Sequence, residues 1–362
     1  MERGMRKLFS IYKHDFKPSV LTATVLHFLV DYISISVLVN SSLGVNAETA
    51  GLYAVIYDFL AFATQPLVGV VADFLHKEKY FVLGSIALLL IGFFIPFSYV
   101  ALGFVGIGNA LFHVFAGKNA MDESEKSAPL GVFISTGALG LSLALNYSLP
   151  RLRYVCLAWL VVLGALYFYL RLKEEPLVKE EQAKVSPKDK KNVYLIPIIL
   201  VSLGVLIRAV LGYLPTYSGS ALTIEPILVA LFVFLGKAIG GFILDAFGAI
   251  PLMIASVVFT SLGIISYSEP IFRFLFCLGV NLPMAFTLFY AKKALPRYSG
   301  FAFGLLAALL LLGLLLTSYQ MNEIVISCLS VTLSLFSAIM CIAVSYFFKK
   351  KDMLEGKEEE AL

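Results

Sequence analysis

The sequence predicts an all-α polytopic membrane protein of twelve transmembrane helices, arranged as two pseudo-symmetric six-helix bundles. Three observations lead there: the composition, the apolar runs, and a motif that returns after 172 residues. Of 362 residues, 59% are hydrophobic and only 14% charged, against about 25% charged in soluble domains. The mean hydropathy is +0.89. No nucleic-acid motif is present, so no nucleic-acid partner is expected. The lipid bilayer is the expected surrounding.

Twelve apolar segments lie near the ~20 residues that a spanning helix needs. They cover 18–40, 49–73, 80–98, 100–117, 128–148, 152–171, 193–215, 225–245, 248–267, 270–291, 298–318 and 323–347. The start, MERGMRKLFSIYKHDFKPS, is polar for longer than a cleaved signal peptide allows. The first span is therefore expected to direct insertion and to remain. Most connections are very short. The exception is LKEEPLVKEEQAKVSPKDKKN, residues 172–192, which is charged and carries two prolines. It divides the chain into an N-terminal bundle (1–171), a cytoplasmic linker (172–192), a C-terminal bundle (193–348) and a cytoplasmic tail (349–362).

Orientation follows from Lys and Arg. With both termini on one side, that side carries 23 of the 28 basic residues. The opposite loops hold Arg151 and Arg153, and three basic residues lie within spans. Both termini are expected in the cytoplasm, and the protein in the cell (plasma or inner) membrane, as a monomer.

The internal repeat rests on several coincidences. QPLVGVVADFLH (65–76) aligns with KAIGGFILDAFG (237–248), pairing Gly69 with Gly241 and Asp73 with Asp245 at an offset of 172. Asn109 and Asn281 are also 172 apart, and Gly131 and Gly140 precede Gly304 and Gly313 by 173. Such repeats imply two halves related by an axis along the membrane normal. In this register Lys237 takes the position of Gln65, a charge where the other half is neutral.

At these residues the chain resembles the major facilitator superfamily, over nearly its whole length. That family's loop after the second helix reads Gly-x-x-x-Asp-Arg/Lys-x-Gly-Arg/Lys-Arg/Lys. Gly69 and Asp73 match it, with Lys77 and Lys79 nearby, while Phe74 replaces the first basic residue and His76 the glycine. The second copy keeps Gly241, Asp245 and Gly248. GVFISTGALG, with Gly131, Gly137 and Gly140, resembles the glycine-rich fifth helix of exporters, without its usual proline. GNALFHVFAGKNAM is similar to a segment of prokaryotic members such as fosmidomycin-resistance-like proteins.

Each loop aspartate ends a helix near the cytoplasmic surface. There it can meet the positive N-terminal end of a helix from the other half, worth ~0.3–1 kcal/mol when exposed and up to ~2 when partly buried. A contact made in one access state only would bias the two states. Gly69, Asp73, Lys77, Gly241 and Asp245 are thus candidates for conformational gating. A solvated loop charge and plain helix packing are the simpler readings.

Charges inside the membrane cost ~2.5–3.5 kcal/mol each on insertion scales, so they are expected to face a cavity. Asp31 lies ~20 Å into the first helix, counted from Lys17 at 1.5 Å per residue. His27 precedes it by four residues and shares its face. Asp58 is in the second helix, Arg208 in the seventh and Lys237 in the eighth, ~12 Å from Asp245 along the axis. His113 lies at comparable depth in the fourth helix, and Arg273 sits near the outer boundary, from which it could snorkel. The resemblance implies that helices one, four and seven line the pocket. Asp31, His27, Asp58, Arg208, Lys237, His113, Asn109 and Asn281 are the candidates for substrate binding or coupling. The competing account is a set of ion pairs joining Asp31 or Asp58 to Arg208 or Lys237. For both asparagines the simpler role is interhelical hydrogen bonding.

Neither ATP nor catalysis is indicated, since GxxxxGK[ST], HExxH and GxSxG are all missing from the sequence. Cys156, Cys277, Cys328 and Cys341 show neither metal-ligand nor disulfide spacing. No cofactor, no metal and no enzymatic activity are expected. What remains is a secondary transporter moving a small-molecule substrate by alternating access, coupled to protons. An organic anion, held by Arg208, Lys237 and the histidines, is one substrate class. A drug or metabolite expelled from an aromatic-rich cavity by antiport is the other. A non-transporting membrane protein of the same fold is the third reading.

Overall fold

The computed structural model describes residues 15–147, 149–184, 193–213, 225–267, 269–316 and 323–360, and among them every regular element is helical. In chain order the segments are α1 (Pro18–Ser42), α2 (Ala47–Leu75), α3 (Glu78–Phe94), α4 (Ser98–Glu123), α5 (Ser127–Asn146) and α6 (Pro150–Lys184). The second set is α7 (Leu195–Tyr213), α8 (Glu225–Phe247), α9 (Ala249–Ile265), α10 (Pro270–Ala294), α11 (Ser299–Leu316) and α12 (Glu323–Glu360). Ten are long and apolar enough to cross a membrane. The two that are not, α3 and α9, have 17 residues each, about 25 Å at 1.5 Å per residue. The protein is a multi-pass membrane protein. Its outer surface fits that solvent: Leu67, Phe94, Phe247 and Ile339 are all exposed.

Several boundaries have visible causes. Pro18 and Pro270 occupy first-turn positions, where the missing N–H costs nothing. Asn46 caps α2, its side chain accepting from the Thr49 N–H at 2.8 Å. At the other end of α2, His76 adopts the left-handed conformation (φ 47°, ψ 43°), the geometry that glycine usually supplies there. Among the described residues it is the one non-glycine with positive φ. Gly248, its repeat counterpart, also has positive φ (85°).

Two helices are broken by proline. In α2 a π-helical turn, Phe59–Ala63, precedes Pro66. Thr64 Oγ1 donates to Leu60 O at 2.6 Å, and Gln65 Nε2 to Ala61 O at 2.7 Å. In α10 Pro283 cannot supply the N–H that Gly279 O would receive. Ser256 Oγ donates to that carbonyl instead, at 2.7 Å.

Two helices run on past their apolar segments. The linker is helical as far as Lys184, and the tail is helical through Glu360. Both stretches are rich in Glu and Lys, strong helix formers that pair at i,i+4, so the helices run on beyond their apolar spans. Residues 185–192 and most of the basic N-terminal segment lie outside the described residues.

Packing repeats between the two sets. α1 packs on α5, α6 and α4, and α7 packs correspondingly on α11, α12 and α10; α3–α4 is matched by α9–α10. The sets meet chiefly where α5 packs on α8 and α2 on α11. Glycine makes both seams possible. A Cβ on Gly131 would lie 2.5 Å from Lys237 O, and one on Gly304 would strike Gln65 O. Since Lys237 and Gln65 are repeat counterparts, the two seams are equivalent.

Candidate functional site

The linker end of the molecule carries two clasps. Asp73, on α2, accepts from the N–H groups of Gly300 and Phe301 at 2.8 Å each, at the start of α11. Asp245, on α8, accepts from the N–H groups of Ser127 and Ala128 at 2.9 Å each, and from Ser127 Oγ at 2.7 Å, at the start of α5. Each carboxylate thus meets unsatisfied donors at the positive end of a helix. Gly69 and Gly241 allow the approach: a Cβ on either would come within 2.7 Å of the facing backbone. Lys77 follows α2 and is exposed, while the Asp73 carboxylate is taken up by the two backbone N–H groups. One buried cation at this end is Lys118, with Glu78 Oε1 at 2.8 Å and Asp122 Oδ2 at 2.7 Å.

Lys118 belongs to a network that the sequence pattern did not reveal. Glu123 accepts from Lys17 at 2.5 Å and from Arg171 at 2.8 Å. Ser299 Oγ donates to Asp122 Oδ1 at 2.6 Å, which ties α4 to α11. Lys118 and Asp122 are an i,i+4 pair at the end of an apolar run, and that spacing was the available signal. The remaining partners are 40 or more residues away, beyond reach of any local pattern.

Away from the linker end lies a cavity of about 870 Å³. It sits between the two helix sets, and its wall includes His27, Asp31, Asp58, His113, Arg208 and Lys237. Ile134, Phe62, Phe303 and Leu306 supply apolar wall, and Asn146 and Pro226 mark the end away from the linker. Six of the eight expected residues are thereby brought together. Asn109 does not line the cavity; it donates to Asp31 Oδ1 at 3.0 Å from behind. Asn281 is turned onto its own helix, donating to Cys277 O at 2.8 Å, and the α8 backbone at Gly236 packs close to it.

At the cavity's base three groups converge. His27 Nε2 lies 2.8 Å from His113 Nε2. Asp31 places Oδ2 at 3.4 Å from the first and Oδ1 at 3.5 Å from the second. Each imidazole is anchored through Nδ1: His27 to Phe133 O at 2.8 Å, His113 to Asn109 O at 3.0 Å. Gly137 leaves room for the cluster, since a Cβ there would collide with Asp31 Oδ2 and His27 Nε2. The partners of the Asp31 carboxylate here are the two histidines and Asn109. Arg273 does not snorkel. It is buried, with Nε donating to Tyr267 O at 3.3 Å and the guanidinium over that ring.

No protein-family model matches the sequence, and no curated protein matches it. Solved structures do. The E. coli fucose:proton symporter FucP is similar with a TM-score of 0.57 at 13% identity, over 93% of this chain and 98% of that one. A second FucP structure, described as a major facilitator superfamily transporter in the outward conformation, gives 0.58 over 93% and 99%. The chain has the major facilitator fold. The proton:xylose symporter XylE bound to 6-bromo-6-deoxy-D-glucose gives a TM-score of 0.56 at 14% identity, over 93% and 96%. A bacterial homologue of the iron transporter ferroportin, in an outward-facing state, gives 0.58 at 12%, over 91% and 99%. At 12–14% identity the likeness is one of fold.

Proposed function

We propose that this chain is a proton-coupled secondary transporter, moving a small organic solute across the cell membrane by alternating access. The observation that carries the proposal is the pairing of a charged central cavity with two carboxylate clasps closing the linker end. On this reading twelve helices form two six-helix bundles, 1–171 and 193–348, working as a monomer with both termini in the cytoplasm. The repeated packing and the equivalent seams support it. The linker end is then the cytoplasmic face, and the described state faces outward. Asp73, Asp245, Gly69 and Gly241 act as gates. FucP and XylE, named as proton symporters, have the same fold and are consistent with symport.

Asp31 is the proposed coupling residue, since it stands at the base of the cavity with His27 and His113 against it. Arg208 and Lys237 on the cavity wall favour an organic anion over a cationic drug. No catalytic role is assigned. The test is uptake of a panel of small organic anions by proteoliposomes under an imposed pH gradient. Gradient-dependent accumulation of at least one member supports the reading; gradient-independent behaviour of the whole panel removes the coupling.

A further inference from the structure

From the geometry at the base of the cavity we infer that His27, Asp31 and His113 form a binding site for a divalent first-row transition-metal ion. The argument starts with tautomers. A backbone carbonyl only accepts hydrogen bonds. Phe133 O and Asn109 O therefore fix the proton of each neutral imidazole on Nδ1. Both Nε2 atoms then present lone pairs, and they point at one another across 2.8 Å. The carboxylate oxygens of Asp31 stand 3.4 and 3.5 Å from the same two atoms. Three electron-pair donors, one of them anionic, face a common point inside a low-dielectric protein. A shared proton bridges two of them; a metal ion serves all three.

The distances suit an ion. With bonds of about 2.1 Å, nitrogens 2.8 Å apart subtend roughly 85°, and the nitrogen–oxygen separations subtend roughly 110°. The first is near the octahedral angle and the second near the tetrahedral one. The ligating atoms of the three residues all fall within 4.8 Å of one another. The surroundings are those of metal sites, where a ligating histidine gives its other N–H to a carbonyl and the carboxylate is itself hydrogen-bonded. Asn109 Nδ2 supplies that last bond at 3.0 Å. Two imidazoles with one carboxylate and open positions select a first-row transition ion over the oxygen-seeking Mg²⁺ or Ca²⁺. The open positions face the cavity, where an anionic solute can complete the coordination.

The proposal shares its site with the transport reading but stands on binding geometry alone. It is tested on full-length protein in detergent, free of any histidine tag, by titration with Co²⁺. One equivalent should bind with visible ligand-field absorption, Zn²⁺ should displace it, and excess Mg²⁺ should not. His113→Gln and His27→Gln should each weaken binding at least about tenfold. Gly137→Ala keeps every ligand yet places a methyl against Asp31 and His27, and it should weaken binding too. His76→Gln should leave binding unchanged. A measurement on wild-type protein guards against misfolded variants: Co²⁺ should protect His113, but not His76, from diethyl pyrocarbonate. Absence of a stoichiometric Co²⁺ site, wild-type affinity in His113→Gln, or an unprotected His113 would each overturn the inference. No gradient is involved, so a binding failure leaves proton-coupled transport standing, and a transport failure leaves the site standing.

Discussion

His76 shows how a single residue departs from its motif at a cost. It holds a left-handed conformation that disfavours an L-residue by roughly 1–2 kcal/mol, where the related loop pattern has glycine. His76→Gly should relieve that strain, partly offset by glycine's greater freedom when unfolded. A net gain of about 0.5–1 kcal/mol is expected, seen as a higher melting temperature in detergent. A lowered one would show that the His76 side chain stabilises the turn. Lys237 is the second residue-scale case. It lines the cavity where its counterpart Gln65 is buried and bonded to Ala61 O. Lys237→Gln, which copies the other half, should leave expression intact and impair transport. Undiminished transport would make the charge a passenger.

Among the elements, the clasps carry the sharpest expectation. Each joins a carboxylate to the N-terminus of a helix in the other set, worth about 1–2 kcal/mol in a partly buried setting. Asp73→Asn or Asp245→Asn should therefore shift the balance between access states by roughly 5–30-fold. Spin labels at Lys77 and Arg297 should show a longer-distance population growing in Asp73→Asn; an unchanged distribution would count against a gating role. The clasps were legible in advance, because an aspartate at a fixed distance after a glycine recurs at an offset of 172 and a helix start is the natural partner of a carboxylate. The Lys118–Glu78–Asp122 network was not, since apolar runs mark where spans lie and say nothing of which ends meet. The extensions of α6 and α12 were missed for a different reason. Charge marks the end of the membrane, not the end of the helix.

For the molecule as a whole, composition and run lengths carried the helical membrane architecture. The placement of charges within spans pointed to the cavity, and six of eight candidates line it. Asn109 and Asn281 illustrate the limit. A buried amide needs a partner wherever it sits, so depth alone does not distinguish a cavity-facing asparagine from one bonded to a neighbour. The mutual approach of His27 and His113 was equally invisible, since 86 residues separate them in the chain. Topology is testable at this scale. Cysteines placed at Ser186, outside the described residues, and in the C-terminal tail should react only from the cytoplasm. One at Asn46, the cap of α2, should react only from outside. Both classes reacting from one side would remove the arrangement of six helices plus six.

The central claim, that a titratable carboxylate at the base of a shared cavity couples protons to solute, rests on Asp31. Its most direct measurement is solute accumulation in proteoliposomes carrying Asp31→Asn, with a pH gradient imposed and solute exchange followed in parallel. Neutralising the group imitates its protonated form, so gradient-driven accumulation should be lost while exchange persists. Continued concentration of solute by Asp31→Asn under the same gradient would contradict the account.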